Sequence, residues 1–284
     1  MDQRIIDLYD RFTHGRISRR AFLDRLAVLA GGAAMASAML PLLRNNYALA
    51  ETVPEGDPRL VFETLTFPAV PGLTGYFVKP REGRKPANVI VIHENRGLNP
   101  HIKDIARRFA LEGFAAVAVD FLGPQGGTPT NEDKAREMFA NLKPEDAVAY
   151  ARAVLPVLEK REDTTEDVGA VGFCWGGGVV NNFAVADPGL DAGVAYYGRQ
   201  PPLDRVRTVQ AAMLLHYAGL DEPITSGAAG YEQALKQAGK VVEMHVYPGV
   251  NHAFNNDTAP SRYNKEAADL AWSRTVTFLR KYLS

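Results

Sequence analysis

The chain has one cysteine, Cys174, in the run Gly172-Phe173-Cys174-Trp175-Gly176-Gly177-Gly178. Glycines two positions to either side of a nucleophile let a strand turn sharply into a helix and lift the side chain between them. The partial positive charge of the helix's first turn favours thiolate over thiol. Two other uses of such a run exist. A phosphate-binding loop would need G-x-G-x-x-G spacing or a Lys-Ser/Thr after the glycines, and neither is present. A buried cysteine can also be no more than a small apolar side chain. The strand before Cys174 and the helix after it favour the nucleophile.

A thiol nucleophile needs a base, and the base needs an orienting acid. Of six histidines, His252 lies in Tyr247-Pro248-Gly249-Val250-Asn251-His252-Ala253-Phe254, a turn between the last strand and the last helix. His216 and His245 fall within apolar strand patterns and His101 opens a helix. His93 ends a strand, and His14 lies in the amino-terminal segment. Asp221, in Tyr217-Ala218-Gly219-Leu220-Asp221-Glu222-Pro223, follows a strand and supplies the acid, with Glu222 as its neighbour and alternative. The order nucleophile, acid, base is that of α/β-hydrolases. In that fold the loop after an early strand gives one oxyanion-binding N–H and the residue after the nucleophile gives the other. Here these are Asn95, in His93-Glu94-Asn95-Arg96-Gly97, and Trp175. A metal site from Cys174, His93, Glu94 and His252 is conceivable, but there is no H-E-x-x-H and no second cysteine. No metal or cofactor is needed for this chemistry.

The elements that must hold these groups follow from periodicity. Leu60–Phe67 and Leu73–Val78 read as β segments; Asn88–His93, Phe114–Val119, Asp167–Phe173, Asp191–Tyr197, Ala211–Tyr217 and Val241–Tyr247 read as further strands. Helical patterns separate most of them: Pro100–Glu112, Pro144–Lys160, Gly176–Ala186 and Ser226–Ala238, with Pro260–Leu283 closing the chain. The alternation predicts the α/β-hydrolase fold: a doubly wound, mostly parallel sheet with helices on both faces and a site beyond the carboxyl ends of its strands.

The first 50 residues differ from the rest. They hold seven Arg and no Lys, then an uncharged run from Ala27 to Leu43, then Ala48-Leu49-Ala50. Basic segment, apolar core and small-residue site is the order of a secretory signal. Ser18-Arg19-Arg20-Ala21-Phe22-Leu23 resembles a twin-arginine signal, which engages an export machinery for folded proteins. The expected division is a signal peptide over 1–50 and a hydrolase domain over 51–284, exported to the periplasm. An amphipathic helix or an uncleaved anchor is the alternative for the segment. Cleavage after Ala50 leaves 25 Lys and Arg against 29 Asp and Glu. That balance excludes the basic excess of a nucleic-acid partner. The remainder has no apolar stretch of membrane length.

Together, VIVIHENRGLN, GFCWGGG, YAGLDEP and YPGVNHAF resemble the dienelactone hydrolase family (carboxymethylenebutenolidase-like) from about Leu60 to the end of the chain. The resemblance implies a Cys174-His252-Asp221 triad hydrolysing a lactone or carboxylic ester, with no cofactor. It also implies that Glu94 interacts with the resting thiol and helps activate it. Family members acting on dienelactone hold the substrate carboxylate with arginines. Here Phe121-Leu122-Gly123-Pro124 follows the strand where one would stand, and Asn256 stands four residues after His252. Arg96, Tyr197 and Arg199 are the substrate-binding candidates in their place. Two other functions fit the same scaffold: a general carboxylesterase or thioesterase, and a non-catalytic binding protein carrying a redox-sensitive thiol.

Overall fold

Strands β3 (Asn88–Ile92), β4 (Ala115–Asp120), β5 (Val168–Phe173) and β7 (Ala212–Ala218) are buried along their whole length. This is why their sequences are nearly unbroken apolar runs and do not alternate. The computed structural model describes residues 1–49 and 51–283. Its sheet has eight strands in the order β1-β2-β4-β3-β5-β6-β7-β8, with β1 (Leu60–Thr66), β2 (Thr74–Pro80), β6 (Ala192–Tyr196) and β8 (Val242–Tyr247) completing the set. β2 runs antiparallel to both β1 and β4, and every other pairing is parallel. The doubly wound, mostly parallel sheet of the α/β-hydrolase fold is therefore present as the sequence predicts.

Each face of the sheet is covered by helices. Ile90, Ile92, Val117 and Val119 point into one core with residues of α6 (Pro144–Glu159), α7 (Trp175–Ala186) and α9 (Ala228–Gln237). Val89, Val91, Ala116 and Ala118 point into the other with α4 (Pro100–Leu111) and α10 (Lys265–Tyr282). Phe109 and Phe183, both fully buried, each contribute on the order of 1.5–3 kcal/mol. Two short helices flank the site, α5 (Glu132–Asn141) and α8 (Glu222–Thr225). Several expected boundaries shift by a residue or two, and two helices change more in kind. The closing helix starts at Lys265 and not Pro260, because Asn264 caps it by accepting from the Ala267 N–H at 3.0 Å. The single helix expected over Ser226–Ala238 is preceded by the separate turn α8, for which Asp221 is the N-cap.

The amino-terminal segment folds as α1 (Gln3–Thr13), α2 (Arg19–Ala30) and α3 (Ala33–Leu43). Its apolar run breaks at Gly31 and Gly32, whose φ values of 79° and 141° suit glycine. Segments Arg19–Ala30 and Ala33–Leu49 meet at 110°, and among the described residues no single helix is long and apolar enough to cross a membrane. Ile5, Leu8, Tyr9, Phe22, Leu26, Ala36 and Leu43 form a small core of their own. Phe12 stacks on Phe22 at 4.7 Å between ring centroids. The Ala50 end of the expected small-residue site lies outside the described residues.

Candidate active site

Cys174 sits between the end of β5 and the start of α7 with φ 56° and ψ −114°. That conformation costs a non-glycine residue on the order of 1–3 kcal/mol and persists only where the surroundings enforce it. They do so through the flanking glycines. A Cβ on Gly172 would lie 2.1 Å from the Gly176 carbonyl oxygen, and one on Gly176 would lie 2.4 Å from that of Ile92. Among the described residues only Tyr197 and Ala253 are also non-glycine residues with positive φ. Tyr197 follows β6 and Ala253 follows His252, so all three strained residues border one place.

His252 and Asp221 are brought together as expected. His252 Nδ1 donates to Asp221 Oδ2 at 2.6 Å, and both residues are buried. Burial opposes the charged imidazolium, but Cys174 and Asp221 outweigh it and hold the His252 pKa well above its ordinary value. Burial likewise opposes ionisation of Asp221, and His252 brings its pKa down. Burial also disfavours the Cys174 thiolate. The charges of His252 and then His14 overcome that penalty and lower the thiol to about 6. Trp175 opens α7, so its N–H is one of the orphan donors of the first turn.

His14 is the residue the sequence reading missed. It caps the carboxyl end of α1 and stands in the site, with Nε2 3.5 Å from Cys174 Sγ and 3.3 Å from His252 Nε2. Its Nδ1 donates to the Asp10 carbonyl oxygen at 2.6 Å. No spacing marks it, because the contact spans 160 positions of chain. Docking of α1 is specific: Asn95 Nδ2 donates to the Thr13 carbonyl at 2.8 Å and Arg262 pairs with Asp10 at 3.0 Å. Arg136 lies 4.2 Å over the Phe12 ring, and Gln3 bonds Asn251.

Glu94, expected at the thiol, makes its side-chain hydrogen bond elsewhere, and Arg96, a substrate-binding candidate, is held by other partners. Glu94 Oε2 accepts from Asn256 Nδ2 at 3.0 Å, while its buried Oε1 has no hydrogen-bond partner among the described residues. The position that lacks the family's arginine is thus the one that holds Glu94. Arg96 is buried, pairs with Glu132 at 3.1 Å and donates to the Tyr9 hydroxyl at 3.1 Å. Arg199 is exposed and lines the site cavity. Tyr197 is buried, with its ring centroid 4.9 Å from that of His252. His93 stacks on Trp175 at 5.6 Å and accepts from the Phe121 N–H at 3.3 Å, a packing role. Burial lowers its pKa to about 4.

Cys174, His14, His252, Trp175, Asn95, Tyr197 and Arg199 border one cavity of about 600 Å³. Phe139, Ala140 and Val179 give it an apolar wall. A larger groove of about 930 Å³, with Ala87 and Phe114 in its lining, lies at the amino ends of β3 and β4. It holds none of the nucleophilic groups. Binding sites of parallel α/β sheets form at the carboxyl ends, so the smaller cavity is the candidate.

A strand order of this kind and a strained turn at the head of β5 define an α/β-hydrolase. The dienelactone hydrolase family model matches residues 73–283, and a YqhI-like family model matches residues 1–31. A candidate carboxymethylenebutenolidase of Saccharolobus solfataricus is 34% identical over 230 residues, covering 68% of this chain and 88% of its own. The hydrolase fragment YghX of Escherichia coli is 48% identical over 114 residues, 38% of this chain and 97% of the fragment. A crystal structure of a candidate dienelactone hydrolase from Klebsiella pneumoniae superposes with a TM-score of 0.69 at 26% identity, covering 78% of this chain and 99% of that one. The chain belongs to the dienelactone hydrolase family, and it is a hydrolase.

Proposed function

We propose that the protein hydrolyses a lactone or carboxylic ester through a covalent thioester on Cys174. The observation that carries this is the setting of His252, whose Nδ1 meets Asp221 at 2.6 Å while Cys174 Sγ lies within 4.8 Å of its ring nitrogen. Substrate enters the cavity with its carbonyl over the elbow. The Cys174 thiolate attacks, and the backbone N–H groups of Trp175 and Asn95 stabilise the oxyanion. The bond to the alcohol or enol oxygen breaks, and imidazolium His252 protonates that oxygen. Water then gives a proton to His252 and attacks the thioester, releasing the acid and restoring the thiol. Asp221 holds the imidazole tautomer and stabilises its charged form. Glu94, held by Asn256, is the residue that the family resemblance assigns to activating the thiol.

The apolar cavity wall and the exposed Arg199 suit a small substrate with one anionic end. Arg96, already paired with Glu132 and Tyr9, is the weaker anchor. Turnover of dienelactone beside short-chain aryl esters tests the substrate class. Loss of rate on dienelactone alone in Arg199→Ala supports the carboxylate anchor. Equal rates on neutral and anionic substrates in both proteins contradict it.

The export reading is proposed on the Ser18-Arg19-Arg20-Ala21-Phe22-Leu23 pattern alone. Amino-terminal sequencing of protein recovered from the periplasm tests it. A chain starting at Glu51 supports removal of the leader, and a chain that keeps Met1 and stays in the cytoplasm contradicts it.

A further inference from the structure

We infer that, in the chain that keeps residues 1–50, His14, Cys174 and His252 form a binding site for a thiophilic divalent cation, Zn²⁺ by preference, assembled when α1 docks on the hydrolase domain. The donor atoms come from three distant places in the chain, and all lie within 4.8 Å of one another. Tetrahedral Zn²⁺ with one thiolate and two imidazoles has Zn–S near 2.3 Å and Zn–N near 2.05 Å. These lengths set N···N edges of about 3.3 Å and S···N edges of about 3.6 Å. The observed His14 Nε2–His252 Nε2 and His14 Nε2–Cys174 Sγ separations are 3.3 and 3.5 Å.

The outer nitrogens make the stronger case. His14 Nδ1 faces the Asp10 carbonyl and His252 Nδ1 faces the Asp221 carboxylate, each at 2.6 Å. Neither oxygen can donate, so both Nδ1 atoms carry the hydrogen, and each Nε2, once deprotonated, turns a lone pair inward. An imidazole held from behind by a carbonyl or carboxylate is the usual support of a metal ligand. Two lone pairs and a thiolate then converge with no hydrogen between them. Either a proton or a cation fills that place. The proton gives the thiolate–imidazolium pair of the hydrolytic mechanism; the cation ties up nucleophile and base together. All three residues border the cavity, which leaves room for water as a fourth ligand. Binding expels the proton that the Cys174–His252 pair otherwise shares, so affinity rises with pH.

The site depends on these donors and not on Cys174 being a nucleophile, so its test reads binding. The full-length chain, stripped with a chelator, is titrated with Co²⁺. The expected result is one ion per chain, a thiolate-to-cobalt charge-transfer band and the intense visible bands of four-coordinate Co²⁺, all displaced by Zn²⁺. His14→Ala weakens binding by roughly 100-fold, and Cys174→Ala removes the charge-transfer band. His14→Cys, which restores a ligand, recovers binding with a stronger charge-transfer band and guards against a misfolded His14→Ala. Absence of the band in the wild type overturns the proposal, as does equal affinity in wild type and His14→Ala. Ester turnover measured without metal reports separately. Activity without Co²⁺ binding sinks this site and leaves the hydrolytic reading intact. Co²⁺ binding in a protein whose Cys174→Ala variant still turns over does the reverse.

Discussion

His252 and His14 approach the same sulfur from opposite ends of the chain, and their supports differ. His252 hangs from the loop after β8, and its outer nitrogen meets a buried carboxylate. His14 ends α1 in the amino-terminal segment, and its outer nitrogen meets a backbone carbonyl. Both partners fix the tautomer. Only the carboxylate supplies a full negative charge to stabilise imidazolium as it forms. One imidazole is therefore equipped to take and return a proton, whereas the other is equipped to ligate or hydrogen-bond. Two histidines at one atom are not two bases.

That difference can be broken at several points. His252→Ala should lower kcat by roughly 10²–10⁴ on any ester the protein cleaves, the range expected for a lost general base. A variant within tenfold of wild type would mean that His14 carries the proton. Asp221→Ala leaves the imidazole in place but unsupported and should cost somewhat less. An equal rate in Asp221→Ala would remove the distinction between carboxylate and carbonyl support.

Alkylation by iodoacetamide against pH separates the two histidines on the ground-state thiol. Only thiolate reacts, so the wild-type rate should fall as pH drops through about 6 and level off above it. His252→Ala moves the midpoint up the most and His14→Ala moves it up less, following the order in which they lower the thiol. The same His14→Ala should change kcat by only about fivefold, the effect of one hydrogen bond of ~1 kcal/mol. A larger shift in His14→Ala than in His252→Ala would reverse their assigned roles.

The smallest effect concerns how α1 and α2 are held. Arg19 pairs with Asp133 across the segment boundary while its own side chain is mostly exposed. Arg19→Ala should lower stability by about 1 kcal/mol or less in denaturant melts. A loss of several kcal/mol would show that docking rests on this pair and not on the contacts of Tyr9, Phe12 and Arg262.

Much of the hydrolase domain was legible because its signals are local. A five-residue run such as Asn88–Ile92 has few fates besides a buried strand, and Gly-Phe-Cys-Trp-Gly can make its turn only where glycine removes the clash. That Cys174, Asp221 and His252 share one region was legible because each follows a strand end, which the parallel sheet gathers at one edge. His14 was not, because nothing near it in sequence refers to position 174. Basic residues, an apolar run and a small-residue site describe residues 1–50 by composition, and composition does not say what a helix packs on. The surroundings of Arg96 were not legible for a related reason. Its charge was plain, but its partners Glu132 and Tyr9 come from segments far apart in the chain.

The central claim is that Cys174 forms the covalent bond. Its most direct test is intact-mass analysis of the full-length protein, acid-quenched during turnover of an activated aryl ester, beside Cys174→Ala. The account predicts one added acyl group per chain on the peptide containing Cys174. It predicts no adduct and no turnover above background in the variant, with its fold retained. Wild-type turnover by Cys174→Ala, or an acyl group on any other residue during the steady state, would contradict it.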